Sequence, residues 1–110
     1  MGQRELAILS DYLRLWTRSI VELLDNLKEQ CPESNTIIAE IFYWRDITRV
    51  LEAVLAELKQ PYVEMVMQIM VSSDDKDLVN EVMQFQQQRD RVVKGGKEAR
   101  WNNKHMKALQ

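Results

Sequence analysis

A chain of 110 residues and 13.0 kDa has room for one domain with a single modest core, burying about 60 to 70% of its unfolded surface. Hydrophobic residues make up 45% and charged residues 29%, with only three Gly and two Pro, which points to long helices rather than strands and turns. The net charge of −2 conceals an asymmetry: residues 1–75 hold 7 Lys/Arg against 13 Asp/Glu, and residues 76–110 hold 8 against 4. An acidic front and a basic tail suit intramolecular or protein–protein complementarity at least as well as nucleic acid. Cys31 stands alone, so an internal disulfide is excluded and a reducing compartment is the simpler reading. The opening MGQRELAILSDY lacks the apolar run of a signal peptide, and no stretch approaches 18 apolar residues, so the chain reads as soluble, neither secreted nor membrane-spanning.

The first periodic segment places Leu6, Leu9, Leu13, Trp16, Ile20, Leu23 and Leu27 at alternating intervals of three and four, which predicts a helix from Gln3 to Gln30 packed along its whole length. CPESNT, at 31–36, offers Pro32 as a breaker and Ser34, Asn35 and Thr36 as N-caps, making a short connection of the kind that joins antiparallel neighbours. A second helix is predicted over 36–59, with Ile37, Ile41, Trp44, Thr48, Leu51, Leu55 and Leu58 on one stripe. Beside it runs another, Tyr43, Ile47, Val50 and Val54, so two faces of this helix need partners; the second stripe is the candidate partner surface. Pro61 suits the first turn of a short third helix carrying Val63, Val66, Met67 and Met70, and Ser73 or Asp74 is placed to cap a fourth.

In the fourth segment Leu78, Val82, Phe85, Val92, Ala99 and Met106 share a seam whose alternate positions hold Arg89, Gly96 and Asn103. Gly95-Gly96 costs roughly 1 kcal/mol per residue relative to Ala within a helix, which points to a kink or break there, with a helix resuming through KEARWNNKHMKAL. The apolar pattern is still running at Leu109, as in a chain that continues. The whole reads as one segment, 1–110: an all-α antiparallel bundle of about four helices. The Leu6–Leu27 heptads would also support a two-chain coiled coil, but the bulk of Trp16 and the matching length of the second helix favour an intramolecular bundle.

Tests for chemistry come out negative. VVKGGKEAR has no glycine five residues before Gly96, and Glu98 stands where a P-loop needs Ser or Thr. One Cys and one His, Cys31 and His105, give no metal-ligand spacing, and there is no Glu-x-x-His pair. Glu40 and Asp46 project from different sides of one helix, which argues against an acid/base pair. The stretch 89–107 has 7 basic residues against 2 acidic and includes Trp101, but without a nucleic-acid-binding fold it reads as a basic helix face answering the acidic front. The expectation is a non-enzymatic chain with no cofactor, no metal, no small-molecule substrate and no membrane or nucleic-acid partner.

Residues 38–70, IAEIFYWRDITRVLEAVLAELKQPYVEMVMQIM, resemble the N-terminal tail region of dynein heavy chains, in which an L-x-E-I-x-F/Y-W-R stretch precedes an I/L-x-E-Q-L segment and a Pro-x-Val turn. Ile38, Glu40, Ile41, Tyr43, Trp44 and Arg45 match the first block, Leu55, Glu57 and Leu58 the second, and Pro61 and Val63 the third. Further on, Glu98, Ala99, Asn102, Lys104 and Leu109 fit an E-A-x-x-N-x-K-Y-L-x-x-L signature, with His105 and Met106 replacing its aromatic and leucine; upstream, Trp16 and Ile20 match a W-x-x-x-I. Arg45 after Trp44 is more like axonemal than cytoplasmic heavy chains. The resemblance implies a rod of helical bundles that joins heavy chains, carries intermediate and light chains, and anchors a motor to cargo or to a ciliary doublet microtubule, with the ATPase far outside this sequence. It implies a location in the cytoskeleton, in cilia the axoneme. The alternative is a free-standing helical adaptor or coiled-coil protein that binds a partner helix through the 43/47/50/54 stripe. The residues expected to matter are structural: Ile41, Trp44 and Leu51 in the core, and Glu40 and Arg45 at its edge, Arg45 either pairing with a carboxylate of a neighbouring helix or standing solvated.

Overall fold

The heptad seam of the first segment becomes α1 (Gln3–Glu29), whose Leu13, Ile20 and Leu27 are buried while Leu6, Leu9, Trp16 and Leu23 lie half-buried beside them. In the computed structural model, which describes residues 2–32 and 36–108, three more helices follow: α2 (Ile37–Leu58), α3 (Pro61–Ser72) and α4 (Lys76–Ala108). Thr36 caps α2, its hydroxyl accepting from the Ala39 N–H at 3.2 Å. The alternative caps Ser34 and Asn35, like Leu109, lie outside the described residues. Pro61 is the first residue of α3, where its missing N–H costs no helical hydrogen bond.

The α3–α4 turn differs from the expectation that Ser73 or Asp74 caps the fourth helix. The Asp75 carboxylate does so, accepting from the N–H of Asp77 at 2.9 Å and of Leu78 at 3.5 Å. Ser73 instead closes α3, its hydroxyl donating to the Met70 carbonyl at 2.6 Å. Asp74 takes a left-handed conformation with φ of 61°, which Asp tolerates better than most side chains.

Residue pairings give the directions. Ser10 of α1 donates to the Glu81 carboxylate of α4, and the rings of Trp16 and Phe85 meet at 6.0 Å, so α1 and α4 run parallel. Along α2 and α3 the order reverses: Glu52 pairs with Arg100, Leu51 sits against Gly95 and Gly96, and Glu64 pairs with Arg89. Helices α2 and α3 thus form one descending leg, broken at Lys59-Gln60, between two ascending ones. The result is a rod of 57 × 23 × 17 Å. Its length is that of α4, whose 33 residues at 1.5 Å each span about 50 Å.

α4 is the spine. It packs against each of the other three helices, and Val82, Phe85, Val92 and Ala99 form its buried seam, joined by Leu51 and Leu58 of α2 and by Val63, Met67 and Met70 of α3. The second helix, expected as an intramolecular partner of matching length for the first, meets α1 only sparsely, and α1 packs mainly on α4. On α4, Gly95 and Gly96 lie against Leu51 of α2, whereas the Trp16 ring of α1 packs on Phe85 of α4 and Tyr62 of α3.

Gly95-Gly96 does not break the helix, which continues from Lys76 to Ala108. Neither glycine has a positive φ. A Cβ on Gly95 would meet Leu51 Cδ1 at 3.5 Å and one on Gly96 would meet Leu51 Cβ at 3.8 Å, both ordinary van der Waals contact. The packing of Leu51 offsets the weak helix propensity of the pair, since tertiary burial outweighs a local cost of about 1 kcal/mol per residue.

Two predictions follow from this packing. Gly95→Ala and Gly96→Ala should each stabilise the fold by about 0.5–1 kcal/mol in urea denaturation followed by helical circular dichroism, because helix propensity improves without a clash; destabilisation by either would mean that α2 lies closer to α4 than described. Asn103, on the inward seam of α4, buries its Oδ1 without a hydrogen-bond partner. An orphaned acceptor costs about 1–3 kcal/mol, so Asn103→Leu should raise the urea midpoint, and a lowered midpoint would show that the amide makes a stabilising contact.

Candidate interaction surface

The motif helix α2 faces two neighbours. Its first stripe turns to α4: Ile41, Thr48, Leu51 and Leu58 are buried, Trp44 and Leu55 half-buried, and Ile37 exposed. Its second stripe turns to α1. The Tyr43 hydroxyl donates to the Leu27 carbonyl at 3.3 Å, Ile47 shares a groove with Leu24 and Lys28, and Val54 lines a cleft with Ile20 and Leu23. Ile47 is buried, and Tyr43, Val50 and Val54 are half-buried against the core. Tyr43, Val50 and Val54 keep part of their surface accessible along the α1–α2 boundary.

The sparse α1–α2 contact leaves openings along their boundary. One, of about 250 Å³, lies where α2 gives way to α3 and is lined by Trp16, Ile20, Leu23, Val54, Leu58 and Tyr62, among others. A second, of about 430 Å³, lies between the end of α1, the start of α2 and the second half of α4. Its floor is Leu24, Ile47, Leu51 and Gly95, its wall the Tyr43–Trp44 edge-to-face pair with centroids 4.9 Å apart, and its rim Lys28, Arg91, Lys94 and Glu98. Burial raises the Tyr43 phenol above its ordinary pKa, with smaller contributions in the same direction from Cys31 and Glu98.

Of the motif residues, Tyr43, Trp44 and Glu98 are brought together in this groove although they are distant in sequence. Ala99, Leu58 and Val63 are buried in the common core, whereas Glu40 and Asn102 are half-buried and Lys104 and Pro61 exposed. Arg45 follows the solvated of its two expected readings. It is exposed, reaches Asp46 on its own helix at 3.4 Å and lies 4.7 Å over the Phe42 ring, so it bridges no neighbouring helix. Among the described residues it pairs with no carboxylate across an interface.

Sequence inspection did not find the exposed apolar side chains of α1 and α3. Ile8, Tyr12 and Leu15 lie at helical spacing along α1, and Tyr62 and Met65 are exposed on α3. Rings connect the two helices, Tyr12 to Trp16 at 6.4 Å and Trp16 to Tyr62 at 5.9 Å. The signal was present in the spacing of Ile8, Tyr12 and Leu15, which lies alongside the stronger leucine seam. Among the described residues no group of three His, Cys, Asp or Glu side chains is placed to hold a metal, and no helix is long and apolar enough to cross a membrane. His105 stacks on Trp101 with centroids 3.6 Å apart, its Nδ1 lying 2.8 Å from the Trp101 carbonyl.

The family described as dynein heavy chain, N-terminal region 1, matches residues 6–110. The chain is also 28% identical over 103 residues to the dynein-1-alpha heavy chain of the flagellar inner arm I1 complex of Chlamydomonas reinhardtii, an alignment covering 93% of this chain and 2% of that protein. No solved structure matches. A family match along nearly the whole sequence accords with the motif blocks in α2, α3 and α4, and the chain belongs to the family of dynein heavy-chain N-terminal regions.

Proposed function

We propose that this segment is a non-catalytic scaffold of a dynein heavy-chain tail, contributing to association between heavy chains and to assembly with intermediate or light chains in ciliary, microtubule-based motility. Membership of the N-terminal-region family supports the tail assignment, and the flagellar inner-arm relative supports the ciliary one. The observation that carries the scaffold reading is the apolar strip across α1 and α3. Tyr12 is 53% exposed and Met65 59%, Ile8, Leu15 and Tyr62 are exposed as well, and the Trp16 ring joins Tyr12 to Tyr62 across the two helices. Such clustering on a surface, unlike scattered exposed leucines, marks a protein contact. The free-standing-adaptor reading rests on the 43/47/50/54 stripe, of which Ile47 is buried and Tyr43, Val50 and Val54 are half-buried within the rod.

The test is association. The chain should bind purified dynein heavy-chain tail or intermediate- and light-chain subunits, or self-associate in light scattering as concentration rises. Tyr12→Asp with Met65→Asp should weaken that association at least tenfold while leaving the melting temperature within a few degrees, since both side chains are more than half exposed. Unchanged association in the folded double variant would remove the strip from the interface.

A further inference from the structure

The cations of α4 divide into two groups. Arg89 and Arg100, flanking the seam, pair with Glu64 of α3 and Glu52 of α2, so part of the basic tail does answer the acidic front within the molecule. The outward lysines do not: among the described residues Lys94, Lys97 and Lys104 form no ion pair, nor does Lys28 at the end of α1. Lys94, Lys97, Trp101 and Lys104 follow one another at intervals of three, four and three, a single line about 15 Å long on the outer face of α4. Trp101 is 60% exposed within it. At the N-terminal end of the line, Lys94 joins Lys28 and Arg91 around the 430 Å³ groove floored by Leu24, Ile47 and Leu51.

We propose that this groove and the lysine line together form a docking surface for an acidic amphipathic polypeptide segment. An aliphatic or aromatic anchor of the partner would enter the groove, and its flanking carboxylates would meet Lys28, Arg91 and Lys94 and then Lys97 and Lys104. The groove lies within the volume range of ordinary binding clefts, roughly 300–1,000 Å³. Three cations against the single carboxylate Glu98 give the rim its sign, and carboxylates laid across it gain complementarity that is strongest at low salt. The aliphatic floor suits a hydrocarbon side chain better than a stacked base, and the extended line suits a polypeptide better than a compact ligand. This surface is distinct from the α1–α3 strip and does not rest on the scaffold reading.

Fluorescence anisotropy with two labelled probes tests it: a peptide of glutamates around a central leucine pair, and an all-glutamate peptide of equal length. The intact chain should bind the leucine-containing probe at least tenfold more tightly than the all-glutamate one, with affinity falling as salt rises. Lys28→Glu with Arg91→Glu and Lys94→Glu should weaken binding at least tenfold, whereas Arg18→Glu with Lys76→Glu, outside the groove, should leave it within twofold. If the reversal variant does not fold, the glutamine variant at the same three positions serves, with a loss of at least fivefold expected. Equal binding of the two peptides, or undiminished binding by a folded rim variant, would overturn the proposal. So would tighter binding of a thymidine oligonucleotide or of phosphatidylserine vesicles, which would assign the cations to nucleic acid or to lipid.

Discussion

Leu51 lies against the backbone of Gly95 and Gly96, and much of the arrangement depends on that contact. It lets α2 sit close to α4, and the α4 seam then takes Leu58 from α2 and Val63, Met67 and Met70 from α3 beyond the break at Lys59-Gln60. With α2 and α3 laid end to end along it, α4 must remain one continuous helix to bury both. α1 closes the rod from the remaining side through Leu13, Ile20 and Leu27. A bulky pair in place of the glycines would push α2 outward and expose the seam.

The division of work among side chains follows from the same geometry. Large aromatics gather where backbones stand apart, Trp16 with Tyr62 and Phe85 around the α1–α3–α4 junction and Tyr43 with Trp44 beside the α1–α2 groove. Small residues gather where α2 and α4 nearly touch. Surface ion pairs such as Arg100–Glu52, with N···O at 2.9 Å, add at most about 1 kcal/mol each, so they set register between helices more than they hold the rod together. The fold stands on apolar burial, and the openings left along the α1–α2 boundary are what it offers to other molecules.

Helix number, type and approximate bounds were legible in the sequence because 3.6-residue periodicity is a local property: the Leu6–Leu27 seam, the Thr36 cap and Pro61 each act within a turn or two. The family blocks were legible for the same reason, being short strings at set spacings. Partner choice was not. That α1 packs on α4 and Leu51 on Gly95 and Gly96 is a matter of contacts between helices far apart in sequence. Counting the Gly-Gly cost within α4 alone pointed to a break, because the compensating Leu51 lies on another helix. The stripe of Tyr43, Ile47, Val50 and Val54 was recognised as a face needing a partner, but its partial burial within the rod was not legible, and the exposed positions Ile8, Tyr12 and Leu15 were masked by the leucine seam beside them. The meeting of Tyr43 and Trp44 with Glu98 could not be read from spacing at all.

The central claim is that α4 is an unbroken spine along which the other helices lie. Small-angle X-ray scattering of the monomeric chain tests it directly, because shape follows from that continuity. The account predicts a radius of gyration near the 17.2 Å of the Cα trace. A value near 13 Å, expected for about 110 residues in a compact globule, would show that α4 breaks and folds back at Gly95-Gly96, and would contradict it.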